Sequence, residues 1–341
     1  MTLDDGAFAA TRDGELVVAR GPVDEPAVIF SGTKGLVAMC LLLLIERGLL
    51  ELDAAVSRYW PEFRHPNVLV RHVVSHTSGL PGLRPPPTSA DLLDGERMAA
   101  RLAVEPPIWP AGERLAYHAL TFGWLCGELV RRVDGRTVGA FFAEEFAGPL
   151  ELELWLGLPA EIEPRVARLE RAADYGVAGE PGPLLDALYG DLLHEFPWNE
   201  PAFHAAEIPA ANAIGTARAL ASLYGRLDTI LQRQTIALAR TELSRGVCAV
   251  TAYPYAFGVG FELQTQLRAL GPPANAFGHT GSGGGAHGAW PDARIGFSYL
   301  PTKLGNPLTD GRARVHLAEL YDDVTDAAPA RSSSRNHPPS R

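Results

Sequence analysis

An uninterrupted apolar segment near the N-terminus restricts the possible folds of this chain more than any other feature. Residues 36–45 read LVAMCLLLLI, which is apolar on every face of a helix, and Gly48 follows as a helix terminator. Because a surface helix needs a polar face, we predict that this helix is buried in the middle of the protein. Its length is about half of the ~20 residues that a membrane-spanning helix requires, which predicts a soluble protein.

The charge balance and the cysteines exclude several classes of protein. The chain has 40 acidic and 30 basic residues, a formal net charge of -10, and no block rich in lysine and arginine. Nucleic-acid binders need a basic face, and anionic membranes attract basic segments, so neither partner is expected. The three cysteines, Cys40, Cys126 and Cys248, are far apart and form no CxxC pair, which indicates free thiols in a reducing compartment. Since the N-terminus lacks a signal-peptide pattern, we predict a cytoplasmic location.

The order of strand-like and helix-like segments indicates how the chain is organised. Near the N-terminus, Asp13-Gly14 lies between two apolar segments and predicts a β-hairpin. The middle of the chain has mainly helical periodicity, with its clearest helices at residues 120–133 and 216–227. Towards the C-terminus the pattern alternates as in strands, before a closing helix at residues 311–321. The expected C-terminal strands are residues 256–263, 276–280, 286–290 and 294–300.

We therefore expect an α+β protein in which both chain ends share one antiparallel sheet. Residues 1–50 and 233–325 would form the sheet lobe, residues 51–232 a mostly helical lobe, and residues 326–341 a disordered tail. Active sites favour such domain interfaces, so the site is expected between the two lobes.

The motif Ser31-Gly32-Thr33-Lys34 lies directly before the apolar helix and is the leading candidate for chemistry. Residues three apart share one face of a helical turn, so the Lys34 amine can reach the Ser31 hydroxyl. A serine hydroxyl is a weak nucleophile until a base takes its proton. A buried lysine with a lowered pKa can act as that base, whereas arginine stays protonated. Lys34 and Lys303 are the two lysines of a chain with 28 arginines, which makes Lys34 conspicuous.

The residues around this motif resemble the serine β-lactamase and penicillin-binding protein superfamily. The resemblance covers roughly residues 6–305 and is strongest to the class C-like esterase branch, the family VIII carboxylesterases and related transacylases. It implies an antiparallel sheet flanked by helices, a mostly helical second lobe, and acyl transfer without a metal or organic cofactor. The matching stretches read VIFSGTKGLVAMCLLLLIERGLLELDAAVSRYWPEF, VRHVVSHTSGLPGL, YHALTFGWLCGELVRRVDGR, AEIPAANAIGTARALASLYGRL and AFGHTGSGGG.

The resemblance assigns a second catalytic residue. Tyr117-His118-Ala119 lies where the family has Tyr-x-Asn. Tyr117 would share the general-base role with Lys34, whose ammonium would favour the phenolate form. Ala119 replaces the asparagine that helps β-lactamases to hold the substrate amide. This replacement weakens a lactam substrate and favours ester or other acyl donors.

The resemblance also assigns a substrate-binding strand. His279-Thr280-Gly281 matches the family's Lys/His-Thr-Gly element. The backbone N–H of Ser282, after this element, would form an oxyanion hole with the N–H of Ser31. His279 replaces the β-lactamase lysine and lowers the positive charge at neutral pH, so a carboxylate-bearing antibiotic would lose its cationic partner.

Other patterns favour less specific interpretations. Residues 283–288 spell G-x-G-x-x-G, but they precede a predicted strand, whereas a dinucleotide site needs a helix there. His72 and His76 are four apart without the glutamate of the H-E-x-x-H zinc motif, so we expect His76 to fix a loop. No G-x-S-x-G elbow is present, which argues against an α/β-hydrolase. Core packing is expected for four aromatic residues that could also line a pocket: Trp109, Trp198, Tyr255 and Trp290.

The predicted reaction is two-step acyl transfer through an acyl-Ser31 intermediate. Hydrolysis of small-molecule esters or amides ranks first. Transfer of the acyl group to an amine or alcohol acceptor in a small-molecule biosynthetic pathway is the alternative, because both reactions use the same residues. A β-lactamase or D-peptidase ranks third. A catalytically silent binding protein would be expected to have lost Ser31, Lys34 or Tyr117, and all three are present.

Overall fold

An eight-stranded antiparallel sheet is the largest sheet in the part of the chain that the structure describes. The computed structural model describes residues 6–176, 183–193, 195–306 and 309–326. The strands are β1 (Gly6–Arg12), β2 (Glu15–Arg20), β3 (Ala27–Val28), β4 (Leu154–Trp155), β5 (Glu170–Arg171), β6 (Ile214–Gly215), β7 (Ser244–Val247), β8 (Pro254–Phe257), β9 (Glu262–Leu263), β10 (Phe277–Gly281), β11 (Gly285–Trp290), β12 (Ile295–Pro301) and β13 (Lys303–Leu304). The helices are α1 (Thr33–Glu46), α2 (Val56–Tyr59), α3 (Val70–Val74), α4 (Gly95–Val104), α5 (Thr121–Asp134), α6 (Val138–Phe142), α7 (Pro183–Tyr189), α8 (Pro201–Ala205), α9 (Ala217–Gly225), α10 (Arg233–Ala239) and α11 (Arg312–Asp326).

The large sheet joins the two ends of the chain, as predicted. Its strand order is β2-β1-β12-β11-β10-β9-β8-β7, and β1 pairs with β12 in a register that places Ala9 opposite Ser298. The predicted N-terminal hairpin is β1 and β2, with Asp13 and Gly14 both at positive φ in the turn. Strand β10, which contains the His279-Thr280-Gly281 element, therefore lies well inside the sheet.

The apolar segment forms the central helix of the protein. Every residue of α1 from Thr33 to Leu44 is buried, and the helix packs against α5, α6, α10 and β10. Gly48 has a φ of +70°, the left-handed conformation that commonly terminates helices. The prediction of a fully buried helix is confirmed. None of the described helices is long and apolar enough to span a bilayer.

The predicted strand 256–263 is interrupted in the structure. β8 ends at Phe257, β9 begins at Glu262, and the intervening Gly260 has a φ of +73°. The Gly260 N–H donates to the carbonyl of Val74 at 3.0 Å, and a Cβ at this position would lie 2.7 Å from the Cβ of Ala38. The chain bends here to contact α1, which alternating hydrophobicity alone does not reveal.

Helix α9 packs against β1, β11 and β12 of the large sheet. The Thr11 hydroxyl donates to the Ala221 carbonyl at 2.9 Å, and Thr216 caps the helix by accepting from Ala219 N–H at 3.0 Å. The expected division assigns this segment to the helical lobe of residues 51–232, so that lobe would also cover one face of the sheet.

Helix α11 covers the opposite face of the sheet. A second apolar cluster there includes Phe8, Trp290, Phe297, Leu317 and Leu320. This helix continues to Asp326, beyond the predicted end at residue 321. The tail predicted to be disordered otherwise falls on residues 327–341, which lie outside the described residues.

Candidate active site

Ser31 lies in a tight turn that leads directly into α1. The turn spans Phe30–Gly32, and Phe30 has a φ of +48°, a conformation that residues other than glycine rarely adopt. The backbone of Ala213 holds the turn on both sides: its carbonyl accepts from Ile29 N–H at 2.9 Å, and its N–H donates to the Thr33 hydroxyl at 3.0 Å. These contacts fix the orientation of Ser31 at the start of the buried helix.

Lys34 is completely buried and directs its amine at Ser31. Its Nζ donates to Ser31 Oγ at 3.1 Å, to the Ala119 carbonyl at 2.8 Å and to the Ala210 carbonyl at 2.9 Å. An ammonium has three protons, so these acceptors satisfy the charged form completely. In the neutral form, two protons still bind the carbonyls and the lone pair faces Ser31 Oγ. The arrangement thus suits proton transfer between Ser31 and Lys34.

The environment of Lys34 favours that neutral form. Burial lowers the pKa of Lys34 to about 7, although the Glu262 carboxylate acts in the opposite direction. A base with a pKa near neutrality accepts and returns a proton most readily at the pH at which it works. A side chain with this pKa can act as a general base near neutral pH.

Tyr117 lies beside this pair, immediately before α5. The Lys34 Nζ is 4.9 Å from the centre of the Tyr117 ring, which stacks on Tyr255 with 5.1 Å between ring centres. The Tyr117 N–H donates to Cys248 Sγ at 3.2 Å. Burial raises the pKa of Tyr117 well above 10, and Glu262 raises it further, against a smaller opposite effect of its hydrogen bond with Ser31. These two effects oppose the phenolate form that the resemblance implies, and they favour a protonated Tyr117 hydroxyl at neutral pH.

The end of β10 lies close to the turn that contains Ser31. A Cβ on Gly281 would lie 2.8 Å from the Ile29 carbonyl oxygen, so the strand can reach the turn only with glycine there. Ser282 follows at the start of a short turn, with its hydroxyl 3.4 Å from the Tyr175 hydroxyl. Ser31, Thr280, Gly281 and Ser282 line one cavity. The structure thus brings together the predicted nucleophile and the predicted substrate-binding strand.

His279 is also in this region, but it does not line the cavity. It is fully buried, with Nδ1 2.7 Å from the Thr280 carbonyl oxygen and 3.4 Å from Glu262 Oε1. Burial lowers the pKa of His279 well below 6.5, and Lys34 adds to this effect. His279 is therefore neutral and contributes no positive charge to the site at neutral pH.

Glu262 is a site residue that the sequence reasoning missed. Its carboxylate accepts from the Thr280 hydroxyl at 2.9 Å and from the Thr280 N–H at 3.3 Å, and it lines the cavity. Burial raises the pKa of Glu262 to about 7, which the Thr280 hydrogen bonds and Lys34 partly oppose. The sequence feature that could have identified Glu262 is its position as a single carboxylate between Phe261 and Leu263 in an otherwise apolar segment.

The histidines near Tyr117 fix its loop, as predicted for His76. His76 has a φ of +60°, and its Nδ1 accepts from the His118 N–H at 3.0 Å. The Ser78 hydroxyl and His118 Nε2 are 2.7 Å apart. His72 Nδ1 accepts from the Leu69 N–H at 3.1 Å at the start of α3. Among the described residues, no group of His, Cys, Asp and Glu side chains could hold a metal ion.

The glycine-rich segment after Ser282 belongs to the sheet. Gly283 and Gly284 have φ values of +81° and +103°, and strand β11 follows them directly. A Cβ on Gly283 would lie 2.5 Å from the Leu304 side chain. Because no helix follows, this segment is not a dinucleotide-binding motif, as predicted.

The cavity has a volume of about 200 Å³ and is mainly apolar. Ala119 lies in its wall at the position of the family's asparagine. Of the four aromatic residues singled out in the sequence, Tyr255 lines the cavity. Its apolar lining comprises Phe30, Leu120, Tyr175, Leu185, Tyr189, Leu192, Leu193, Phe196, Ala211 and Tyr255. Half of these belong to residues 183–196, which contain no motif that could have identified them.

Comparison with known proteins assigns the family. A family model described as Beta-lactamase matches residues 3–321. The chain belongs to the beta-lactamase family. Its membership confirms the predicted fold class, with an antiparallel sheet flanked by helices, and shows that this family member is a serine hydrolase or acyltransferase.

The relatives of this beta-lactamase family member include esterases and a transferase. Esterase/beta-lactamase LipL of Mycobacterium tuberculosis (strain ATCC 25618 / H37Rv) is 33% identical over 340 residues, covering 89% of this chain and 78% of LipL. A solved family VIII carboxylesterase is 30% identical, with a TM-score of 0.83 over 94% of this chain and 92% of that chain. Monacolin J acid methylbutanoyltransferase of Aspergillus terreus (strain NIH 2624 / FGSC A1156) is 28% identical over 195 residues, 50% of this chain and 46% of the transferase. The predicted resemblance to the esterase branch is confirmed.

Proposed function

We propose that this protein hydrolyses small-molecule esters through an acyl-Ser31 intermediate, with Lys34 as the general base. The observation that supports the proposal most strongly is the fully buried Lys34 amine, 3.1 Å from Ser31 Oγ. A lysine in an ordinary structural role seeks solvent or a carboxylate, whereas this one contacts the candidate nucleophile and two backbone carbonyls.

Acylation follows from these positions. Ser31 Oγ attacks the ester carbonyl while its proton moves to Lys34, and the carbonyl oxygen becomes an oxyanion. The backbone N–H groups of Ser31 and Ser282 stabilise that charge. When the intermediate collapses, the bond to the alcohol breaks, and Tyr117 donates its hydroxyl proton to the leaving oxygen. Lys34 then returns a proton to Tyr117, which leaves acyl-Ser31 and a neutral base.

Deacylation reverses these steps with water in place of the alcohol. Neutral Lys34, acting through Tyr117, takes a proton from water as the water oxygen attacks the acyl carbonyl. The same oxyanion hole stabilises the second tetrahedral intermediate. Ser31 leaves with a proton from Lys34, and the carboxylic acid is released.

The cavity favours ester donors over β-lactams. Ala119 has no side-chain amide with which to hold a substrate amide, and neutral His279 offers no cation to an antibiotic carboxylate. The apolar lining suits a small acyl group. β-Lactamase or D-peptidase activity is therefore a less supported function, and so is a silent binding protein, because Ser31, Lys34 and Tyr117 form a contiguous group.

Acyl transfer to an amine or alcohol is the second candidate function. The relative named as a methylbutanoyltransferase favours it, and the same catalytic residues serve both reactions. The two are separated by incubating the enzyme with an activated aryl ester in water, alone and with small amines or alcohols. Hydrolysis predicts only the free acid, whereas a transferase yields mainly the amide or ester of the added acceptor.

The pH profile of kcat/KM tests whether Lys34 is the general base. With a neutral aryl ester we expect kcat/KM to rise with pH through about 7 and then level off, because Lys34 must lose its proton to accept that of Ser31. Tyr117 remains protonated throughout this range. In Glu262→Gln the rise should move to lower pH, since the carboxylate that holds the pKa of Lys34 up is gone. If the rise in kcat/KM disappears in that variant, it reflects ionisation of Glu262, which would contradict the role of Lys34.

Replacing Tyr117 with phenylalanine tests the proton donor. We expect kcat/KM for alkyl esters, which reports acylation, to fall about 10²- to 10⁴-fold, because the leaving alkoxide needs a proton. The loss in kcat/KM should be much smaller for a nitrophenyl ester, whose phenolate leaves without protonation. Tyr321→Phe on the exposed face of α11 is the matched control and should behave as wild type. An equal loss for both leaving groups would mean that Tyr117 acts by packing alone.

A further inference from the structure

The side chains that line the cavity beside Ser31 carry negative and no positive charge among the described residues. Among the described residues that line it, Glu262 is the one acidic residue, and none is lysine, arginine or histidine. Lys34 lies just behind Ser31, but its three donors contact Ser31 and the carbonyls of Ala119 and Ala210. Within this lining, an anionic group on a substrate therefore meets a carboxylate and no cationic side chain.

Glu262 is held with its carboxylate at the cavity wall. Its side chain is 9% exposed, and the hydroxyl and N–H of Thr280 both donate to it. A carboxylate offers about four acceptor positions, so these two bonds fix the group without saturating it. Burial raises the pKa of Glu262 to about 7, so the carboxylate form predominates above neutral pH. In that form, a buried carboxylate with remaining acceptor capacity attracts a nearby cation and repels a nearby anion strongly, because solvent screening is weak there.

Aromatic rings strengthen the same preference. Tyr117 and Tyr255 stack in one wall of the cavity, and Phe30, Tyr175, Tyr189 and Phe196 contribute further rings. The faces of aromatic rings attract ammonium groups and give nothing to carboxylates. The carboxylate and the rings thus both favour a ligand that carries an ammonium group.

We propose that Glu262 and this aromatic lining determine charge selectivity, so that the enzyme accepts neutral and ammonium-bearing acyl groups and rejects acyl groups that carry a carboxylate. The selectivity rests on the proposed function, because it is measured through acyl transfer at Ser31. Glu262 acts here on the substrate and not on the reacting bond. Because Glu262 also raises the pKa of Lys34, a change at Glu262 can alter the rate with every ester. The selectivity is therefore measured as ratios of kcat/KM between substrates, at about pH 8, where Glu262 is mainly ionised.

Three nitrophenyl esters of matched length test this selectivity: hexanoate, 6-aminohexanoate and the monoester of adipate. For wild type we expect kcat/KM for the adipate ester to be at least about tenfold below that for hexanoate, with 6-aminohexanoate at or above hexanoate. In Glu262→Gln the adipate-to-hexanoate ratio should rise about tenfold, and the aminohexanoate-to-hexanoate ratio should fall. Glutamine keeps the size of the side chain and can still bond to Thr280.

The controls separate this inference from the proposed function. Glu242→Gln removes the same charge from an exposed position, and its ratios should match those of wild type. Ratios that change less than about twofold in Glu262→Gln overturn the selectivity while leaving the hydrolase intact. Wild type that fails to hydrolyse any of the three esters overturns the proposed function instead.

A measurement on the wild-type protein tests the charge selectivity even if Glu262→Gln does not fold. Hexylamine and hexanoate are compared as competitive inhibitors of hexanoate-ester hydrolysis at about pH 8, where Glu262 is mainly ionised. We expect the inhibition constant of hexylammonium to be at least about tenfold lower than that of hexanoate. Equal constants, or tighter binding of hexanoate, would overturn the selectivity.

Discussion

Replacing Lys34 with arginine is expected to reduce acyl transfer about 10³- to 10⁴-fold. A guanidinium stays protonated far above neutral pH, so it cannot take the proton of Ser31. Burial lowers the pKa of Lys34 to about 7, and no comparable change can bring arginine into that range. The substitution keeps the positive charge and a hydrogen-bond donor. A loss of activity of this size would therefore show that residue 34 must be able to accept a proton.

The chain offers a matched control for this variant. Lys303, the other lysine, is exposed on β13, and Lys303→Arg should retain wild-type activity. Both variants are assayed with the same neutral nitrophenyl ester across the pH range of the wild-type profile, after thermal melting has shown that Lys34→Arg is folded. A folded Lys34→Arg enzyme that retains more than about a tenth of the activity would contradict the general-base role.

Ser31→Ala is expected to lower kcat on the order of 10⁴-fold or more, because Ser31 supplies the side-chain hydroxyl that the Lys34 amine contacts. The hydroxyl of Thr280 bonds to Glu262, and that of Ser282 lies beside Tyr175, so neither is paired with Lys34. Affinity for a non-reactive substrate analogue should change little, since the cavity walls remain. Ser57→Ala in α2 is the control. Turnover that survives in Ser31→Ala would mean that the nucleophile lies elsewhere.

The parts of this site that the sequence predicts depend on short-range geometry. The contact between Ser31 and Lys34 follows from a spacing of three residues on a helical turn, and the burial of α1 follows from its uniform apolarity. The hairpin at Asp13-Gly14 is a local turn property in the same way. In each case the residues that decide the structure lie in one short continuous segment of the chain.

The rest of the site depends on contacts between distant parts of the chain. The Ala119 and Ala210 carbonyls that bind Lys34 are 85 and 176 residues from it in sequence. Any residue has a backbone carbonyl, so no side-chain pattern distinguishes these two. Glu262 reaches the cavity because the bend at Gly260 ends β8 and starts β9, and an alternating pattern predicts one continuous strand instead.

The protonation state of Tyr117 shows a second limit of sequence reasoning. The charge of a neighbouring lysine can be anticipated from a motif, but the depth of burial cannot. Burial raises the pKa of Tyr117 and lowers that of Lys34, which supports the proposed mechanism with the lysine as base and the tyrosine as proton donor. The proposed division of roles therefore depends on tertiary packing.

The most direct test of the central claim is the intact mass of the protein after brief exposure to a short-chain activated aryl ester. Wild type should gain one acyl group, Ser31→Ala should gain none, and the adduct should decay in water as the free acid appears. An adduct of equal size on Ser31→Ala, or release of the phenol without any dependence on Ser31, would contradict catalysis through acyl-Ser31.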